Sequence, residues 1–141
     1  MKINREIYSQ IINIQREMPP ETGGILGEYK GVISANYFDE GLKSGNMCSY
    51  IPDIKKLNSV IKEWQQNDIL FRGIYHTHFG SSGTFSMTDR VYIKKILKNM
   101  PDEIGELYFP LVIMPERQMV CYIAKIAFGK LVVVKEQMVI I

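Results

Sequence analysis

Apolar residues recur along this chain with two different periods. Ile3, Ile7, Ile11, Ile14 and Met18 fall at helical spacing, and Pro19-Pro20 closes the run, so an amphipathic helix is predicted over residues 3 to 18. Gly23 to Tyr29 and Val32 to Phe38 flank the turn-like pair Lys30-Gly31 and read as a β-hairpin. The polar stretch Asp39 to Asn46 reads as a loop, followed by a short strand near Met47 to Ile51. Asp53 then caps a helix with Ile54, Leu57, Val60, Ile61 and Trp64 on one face. Ile69 to Tyr75 has the character of a buried strand and opens, past two histidines, into the loop Phe79 to Phe85. Ser86 starts a third helix, whose expected stripe is Met87, Val91, Ile96, Leu97 and Met100. Three strands are predicted after it, at about Leu107 to Met114, Gln118 to Ala127 and Leu131 to Val139. Pro110 marks the first of these as an edge strand or a bulged one. The order describes a mixed α/β domain, with no repeat and no linker.

Composition narrows the setting. A chain of 141 residues that is 46% hydrophobic suits a single domain over residues 1–141, able to bury a core without staples. Seventeen basic residues against 15 acidic ones leave a net charge of +2, with no basic run to suggest a nucleic-acid or membrane surface. Cys48 and Cys121 form no C-x-x-C pair and suggest reduced thiols, with Cys121 as a small core residue. The first eighteen residues carry Lys2, Arg5, Glu6, Arg16 and Glu17, which leaves no apolar core for a signal peptide, and no apolar run is long enough to span a bilayer. A cytoplasmic protein is expected.

The two histidines of the chain, His76 and His78, stand one residue apart and are followed by Ser86 and Asp89, in the pattern H-T-H-x7-S-x2-D. Residues i and i+2 of an extended segment point to the same side, so both imidazoles can reach one ion. Catalytic zinc takes three protein ligands and leaves its fourth position to water. His76, His78 and Asp89 supply that set, with one Zn²⁺ per chain, and Asp89 lies in the first turn of the helix opened by Ser86. A zinc-activated water needs a base, and the candidate is Glu21, just before the glycine-rich strand Gly23-Gly24-Ile25-Leu26-Gly27. Simpler readings exist. Ser86-Met87-Thr88-Asp89 is also an ordinary helix-capping signal, and Glu21 alone could be a solvated turn carboxylate.

A glutamate before a G-G-I-L-G strand, then H-T-H-x7-S-x2-D, resembles the JAB/MPN metalloprotease family with its JAMM motif, across essentially the whole chain. The resemblance implies a curved mixed β-sheet flanked by about three helices. It implies zinc on His76, His78 and Asp89, Glu21 as general acid/base, and Ser86 steadying the bound water or the developing oxyanion. It also implies hydrolysis of the bond after the C-terminal tail of ubiquitin or a ubiquitin-like protein, in deconjugation or precursor processing. The partners implied are a ubiquitin-like protein or its conjugates, with activating or conjugating enzymes encoded nearby. Two further classes fit less well: a non-catalytic scaffold on the same fold, and a zinc hydrolase of small amides. Phe79, where many relatives have proline, and Phe85 are candidate substrate contacts at the cleft entrance. The loops Asp39 to Asn46 and Pro101 to Glu106 are too short for the large insertions of some relatives.

Overall fold

A computed structural model describes residues 1–42, 50–80 and 83–141. The predicted hairpin forms β2 (Gly23–Tyr29) and β3 (Val32–Asp39). Lys30 and Gly31 turn between them at φ of 50° and 82°, the left-handed pair that a two-residue hairpin requires. Asp39 closes β3 and is not loop. Of the short strand expected near Met47 to Ile51, Met47, Cys48 and Ser49 lie outside the described residues, and Tyr50 and Ile51 are not in a strand.

The first predicted helix is shortened at both ends. Lys2–Ile3 form a short strand, β1, parallel to β3, and α1 covers only Arg5–Ile14. Asn4 caps it, accepting the Glu6 N–H at 2.9 Å. At the far end Gln15 turns extended because its buried side chain is committed elsewhere, donating to the Ile11 carbonyl and accepting from Thr22 Oγ1. The packed face is therefore Ile7, Tyr8, Ile11 and Ile12, while Ile14 and Met18 are exposed. α2 (Ile54–Gln65) begins after its Asp53 cap as expected, although Ile54 is exposed. α3 (Met87–Lys98) follows Ser86, but Met87 and Val91 face solvent, and Ile93 and Leu97 are the buried positions.

The histidine-bearing strand is longer than predicted. β4 spans Leu70–Phe79, so His76 and His78 lie inside a hydrogen-bonded strand. The strand expected from Leu107 to Met114 is broken into β5 (Glu106–Tyr108) and β6 (Leu111–Met114) at Phe109-Pro110. Both pieces lie between β4 and β7 (Gln118–Ala127), so Pro110 interrupts an interior strand and does not mark an edge. The Pro110 carbonyl still accepts the His76 N–H at 3.3 Å. The last predicted strand also divides, into β8 (Lys130–Glu136) along β7 and β9 (Val139–Ile140) beside β1.

Together these strands make one mixed nine-stranded sheet, in which β2 separates β3 from β4 and β4 pairs with β6 in parallel. Side-chain alternation divides the core in two. Leu26, Ile33, Tyr75 and Val112 pack with α1 on one face, whereas Ile25, Ile74, Leu107 and Phe109 pack with α2 and α3 on the other. The architecture is α/β with three helices among the described residues. None of them is long and apolar enough to cross a membrane.

Candidate metal centre

β4 sets the site by alternation. His76 and His78 point to the α2/α3 face, and Thr77 between them points to the α1 face, where it is fully buried. The imidazoles converge: His76 Nε2 and His78 Nε2 are 3.0 Å apart. β2 lies beside them, with Gly23 in register with His76, which brings Glu21 two residues upstream to the same end of the sheet.

Thr77 fastens the two strands. Its Oγ1 accepts the Thr22 N–H at 2.9 Å and donates to the Thr22 carbonyl at 3.3 Å, while its own N–H donates to that carbonyl at 2.8 Å. Thr22 Oγ1 donates in turn to Gln15 Oε1 at 2.8 Å. This buried polar cluster is fully hydrogen-bonded, as a dry interior requires. The neighbouring glycines allow the close approach. A Cβ on Gly24 would collide with the Tyr37 carbonyl and the Tyr75 hydroxyl, and one on Gly23 would come within 2.6 Å of the Tyr50 ring.

α3 supplies the carboxylate. Asp89 Oδ2 lies 3.1 Å from His78 Nε2, and Oδ1 lies 3.4 Å from His76 Nε2. The capping reading and the metal reading of Ser86 and Asp89 are both realised. Ser86 Oγ accepts the Asp89 N–H at 3.1 Å, and Asp89 Oδ2 accepts the Ser86 N–H at 3.0 Å, which fixes the carboxylate at the helix start. Ser86 itself lines the cleft.

Glu21 comes in from just before β2. Its Oε1 accepts the Tyr50 N–H at 3.2 Å. The Tyr50 ring stacks over His76, 6.2 Å between centroids and 15° between planes, and its hydroxyl donates to Asp39 Oδ2 at 2.8 Å. Asp39 also accepts the Asp53 and Gly41 N–H groups, so one buried carboxylate ties the end of β3 to the start of α2. Burial pushes the Glu21 carboxyl above its ordinary range, outweighing the lowering by His76, His78 and the Tyr50 N–H. Asp89 behaves in the opposite way. Burial alone would raise it, but the hydrogen bonds and charge of His76 and His78, with the Ser86 N–H, hold it well below the usual carboxylate range.

The donor set fits a metal ion. Glu21, His76 and His78 bring ligand atoms within 4.8 Å of one another, so these three residues can hold one. His76, His78 and Asp89 lie closer still, with the imidazole nitrogens 3.0 Å apart and the two Asp89 oxygens at 3.1 Å from His78 and 3.4 Å from His76. Ligands about 2.0–2.1 Å from a tetrahedral zinc stand about 3.3 Å apart, close to those distances. Two imidazole nitrogens, borderline donors, with a hard carboxylate oxygen make a mixed set of the kind that binds a first-row divalent ion.

All five polar residues of the motif line one cleft of about 700 Å³, whose floor includes Ile74, Ile93 and Phe109. Of the two candidate substrate contacts, Phe85 sits against His76 at 6.2 Å and Tyr122 at 4.9 Å, whereas Phe79 rims the cleft while packing partly on the α1-side core. Thr22, Thr77, Gln15, Tyr50 and Asp39 carry the site without having been singled out from the sequence. For Thr77 a signal existed: strand alternation places the residue between two ligands in the opposite core.

A mixed sheet carrying this constellation at the meeting of β2, β4 and α3 defines a compact JAB/MPN-type domain. The family model for prokaryotic homologs of the JAB domain matches residues 4–128, and the chain belongs to that family. Among solved structures, the solution structure of protein DSY2949 from Desulfitobacterium hafniense is similar at 18% identity and a TM-score of 0.66, covering 99% of this chain and 92% of that one. A crystal structure of AF2198, a JAB1/MPN domain protein from Archaeoglobus fulgidus, is similar at 20% identity and a TM-score of 0.57, covering 99% of both chains. No curated protein matches the chain.

Proposed function

We propose that this chain is a zinc-dependent isopeptidase or peptidase that cuts the bond after the C-terminal tail of a ubiquitin-like protein. The observation that carries the hydrolytic reading is the split between two carboxylates around one donor cluster. Asp89 lies 3.1 and 3.4 Å from the two imidazole nitrogens, which lower its proton affinity, while Glu21 brings a carboxylate oxygen within 4.8 Å of both and burial raises its own. Two carboxyls whose surroundings push their proton affinities apart are suited to different tasks. Asp89 completes the ligand set with His76 and His78, and Glu21 handles protons.

A zinc ion held by His76, His78 and Asp89 would supply Lewis acidity toward the scissile carbonyl and acidify a water molecule. Glu21, anchored through Oε1 by the Tyr50 N–H, takes the water proton on its other oxygen and returns it to the departing amine. The Ser86 hydroxyl donates to the oxygen that gains charge as the carbonyl becomes tetrahedral. Phe79 and Phe85 border the entrance and contact the arriving tail. The substrate class rests on the family resemblance, and the chemistry rests on the site.

The test is zinc content together with hydrolysis of a ubiquitin-like fusion, for the native protein and Glu21→Gln. One zinc per chain in both, with turnover in the native protein only, is the expected result. Protein that stays zinc-free after preparation with ample zinc would defeat the reading. Turnover of small amides with indifference to a protein tail would replace the substrate class and leave the chemistry.

A further inference from the structure

The two ends of the sheet are finished differently. β9 is two residues long, whereas β8 runs for seven and, among the described residues, pairs with β7 alone. Its register against β7 has no shift from Ala127↔Lys130 to Cys121↔Glu136, it contains no proline, and its centre reads Leu131-Val132-Val133-Val134. A long, regular, apolar edge presents a row of backbone N–H and C=O groups, which is a template for another strand. Beside it, at the tip of the β7–β8 hairpin, Phe128 is fully exposed (105%) and takes a φ of 51°. A bulky side chain is strained in that conformation, which asparagine or glycine adopts more easily in a two-residue turn.

We propose that β8 pairs antiparallel with β8 of a second copy of this chain, about a twofold axis at Val133. Backbone parity allows it. The two-residue turn makes Ala127 and Lys130 a hydrogen-bonded pair, so even-numbered residues of β8 direct their backbone groups to β7, and Leu131, Val133 and Lys135 direct theirs outward. Val133 can then face Val133, and Leu131 can face Lys135, with bonds made on both sides of the axis.

The side chains favour a second copy over an unrelated peptide, because this register is self-complementary. It sets Val132 against the half-exposed Val134, a β-branched cross-strand pair, and Lys130 against Glu136, an opposite-charge pair, each occurring twice by symmetry. Glu136 is also ion-paired with the Met1 nitrogen at 2.8 Å, so Lys130 of the second copy would share that carboxylate. The ladder ends there, because the next outward groups are taken within the chain: the Gln137 carbonyl accepts from the Met1 nitrogen at 2.7 Å and the Val139 N–H donates to the Met1 carbonyl at 2.9 Å. A twofold axis normal to the sheet keeps the α2/α3 faces on one side, so both metal clefts open in the same direction.

Sedimentation velocity over a concentration series of the full chain tests this, with amide hydrogen exchange as a second readout. The native chain is expected to dimerise, with protection at Leu131, Val133 and Lys135 rising with dimer fraction. Val133→Pro removes an outward donor without touching the β7 ladder and should weaken the dimer by about tenfold or more. Lys130→Glu, at an exposed position that leaves the monomer fold alone, should weaken it less. A native chain that stays monomeric throughout, or a dimer unaffected by both single substitutions, overturns the proposal. So does protection of these amides by an added extended peptide with no self-association. None of these readouts depends on hydrolytic activity.

Discussion

On one face of β4, Tyr75 and Thr77 are fully buried and their polar atoms are paired within the protein; on the other, His76 and His78 bring their Nε2 atoms within 3.0 Å of each other in a cleft that also holds Asp89. Consecutive residues thus serve opposite purposes. On the inner face Thr77 clasps Thr22 and the Tyr75 hydroxyl donates to Asn36 Oδ1. The outer face gathers electron-rich donors that have more to gain from a cation than from one another. Substitutions on the outer face should therefore remove chemistry and spare the fold, and substitutions on the inner face should do the reverse.

The largest effect expected is from His78→Ala. It removes one corner of the donor triangle and leaves Asp89 with a single imidazole. Zinc content by elemental analysis should fall well below one per chain, and hydrolysis should drop by roughly 10³-fold or more. The metal-free protein should still fold, at a somewhat lower melting temperature because Asp89 loses one of its two imidazole partners. A variant that loses its fold along with its metal would dissolve the distinction between the faces.

Glu21→Gln sharpens the comparison by separating metal binding from proton transfer. Zinc should remain, and kcat should fall by about 10²–10⁴-fold, the range for loss of a general acid/base. Stability should move the other way. Because burial raises the Glu21 carboxyl, the metal-free folded state holds that proton more tightly than the unfolded chain does. The stabilisation from this group is complete below the unfolded carboxylate value and is lost as pH rises through the raised folded value. Glutamine escapes that loss, so the metal-free variant should melt above the native protein at neutral pH and no higher at acid pH. Thermal melts of chelator-treated protein at two pH values would show it.

Thr77→Val probes the inner face. Valine matches the shape but leaves the buried Thr22 N–H without its partner, which costs about 1–3 kcal/mol. The melting temperature should fall by roughly 3–10 °C, with zinc still bound at saturating concentration. A variant of unchanged stability that fails to bind zinc would mean that the threonine acts on the ligands and not on the fold.

The outer face was far more legible in the sequence than the inner one. His76, His78, Asp89 and Glu21 announce themselves because ligand chemistry restricts residue type and strand and helix geometry restrict spacing. Gln15 showed only as part of a helical run, because what takes it out of the helix is a hydrogen bond to Thr22, seven residues on. Asp39 looked like loop for a similar reason: its three partners, Gly41, Tyr50 and Asp53, gather only after the chain has folded back. The divided strand at Phe109-Pro110 was half legible. Proline forbids a continuous ladder, but only the tertiary pairing of β4 with both β5 and β6 shows that the break lies inside the sheet. The stripe of α3 was misplaced because Met87 and Val91 have the right spacing, and the orientation of the helix is set by Asp89 facing the histidines.

The smallest effect tests how dry the inner face is at a distance from the clasp. Cys121 is 2% exposed in the α1-side core, with its Sγ 3.8 Å from the Met1 sulfur, and burial pushes its thiol up to about 12. An ordinary thiol titrates near 8.5 and alkylates readily at mildly alkaline pH. Folding favours the protonated form of Cys121, so its contribution to stability holds through the neutral range and fades only as pH climbs toward 12. Iodoacetamide at pH 8, read by peptide mass spectrometry, should leave Cys121 unmodified in the native protein and label it in denaturant. Thr77→Val should raise the native labelling rate only as far as it raises the population of opened molecules. Labelling at the rate of a free thiol in the native protein would show that this face opens to solvent, and the contrast between the two sides of β4 would then describe a time-average and not a division of roles.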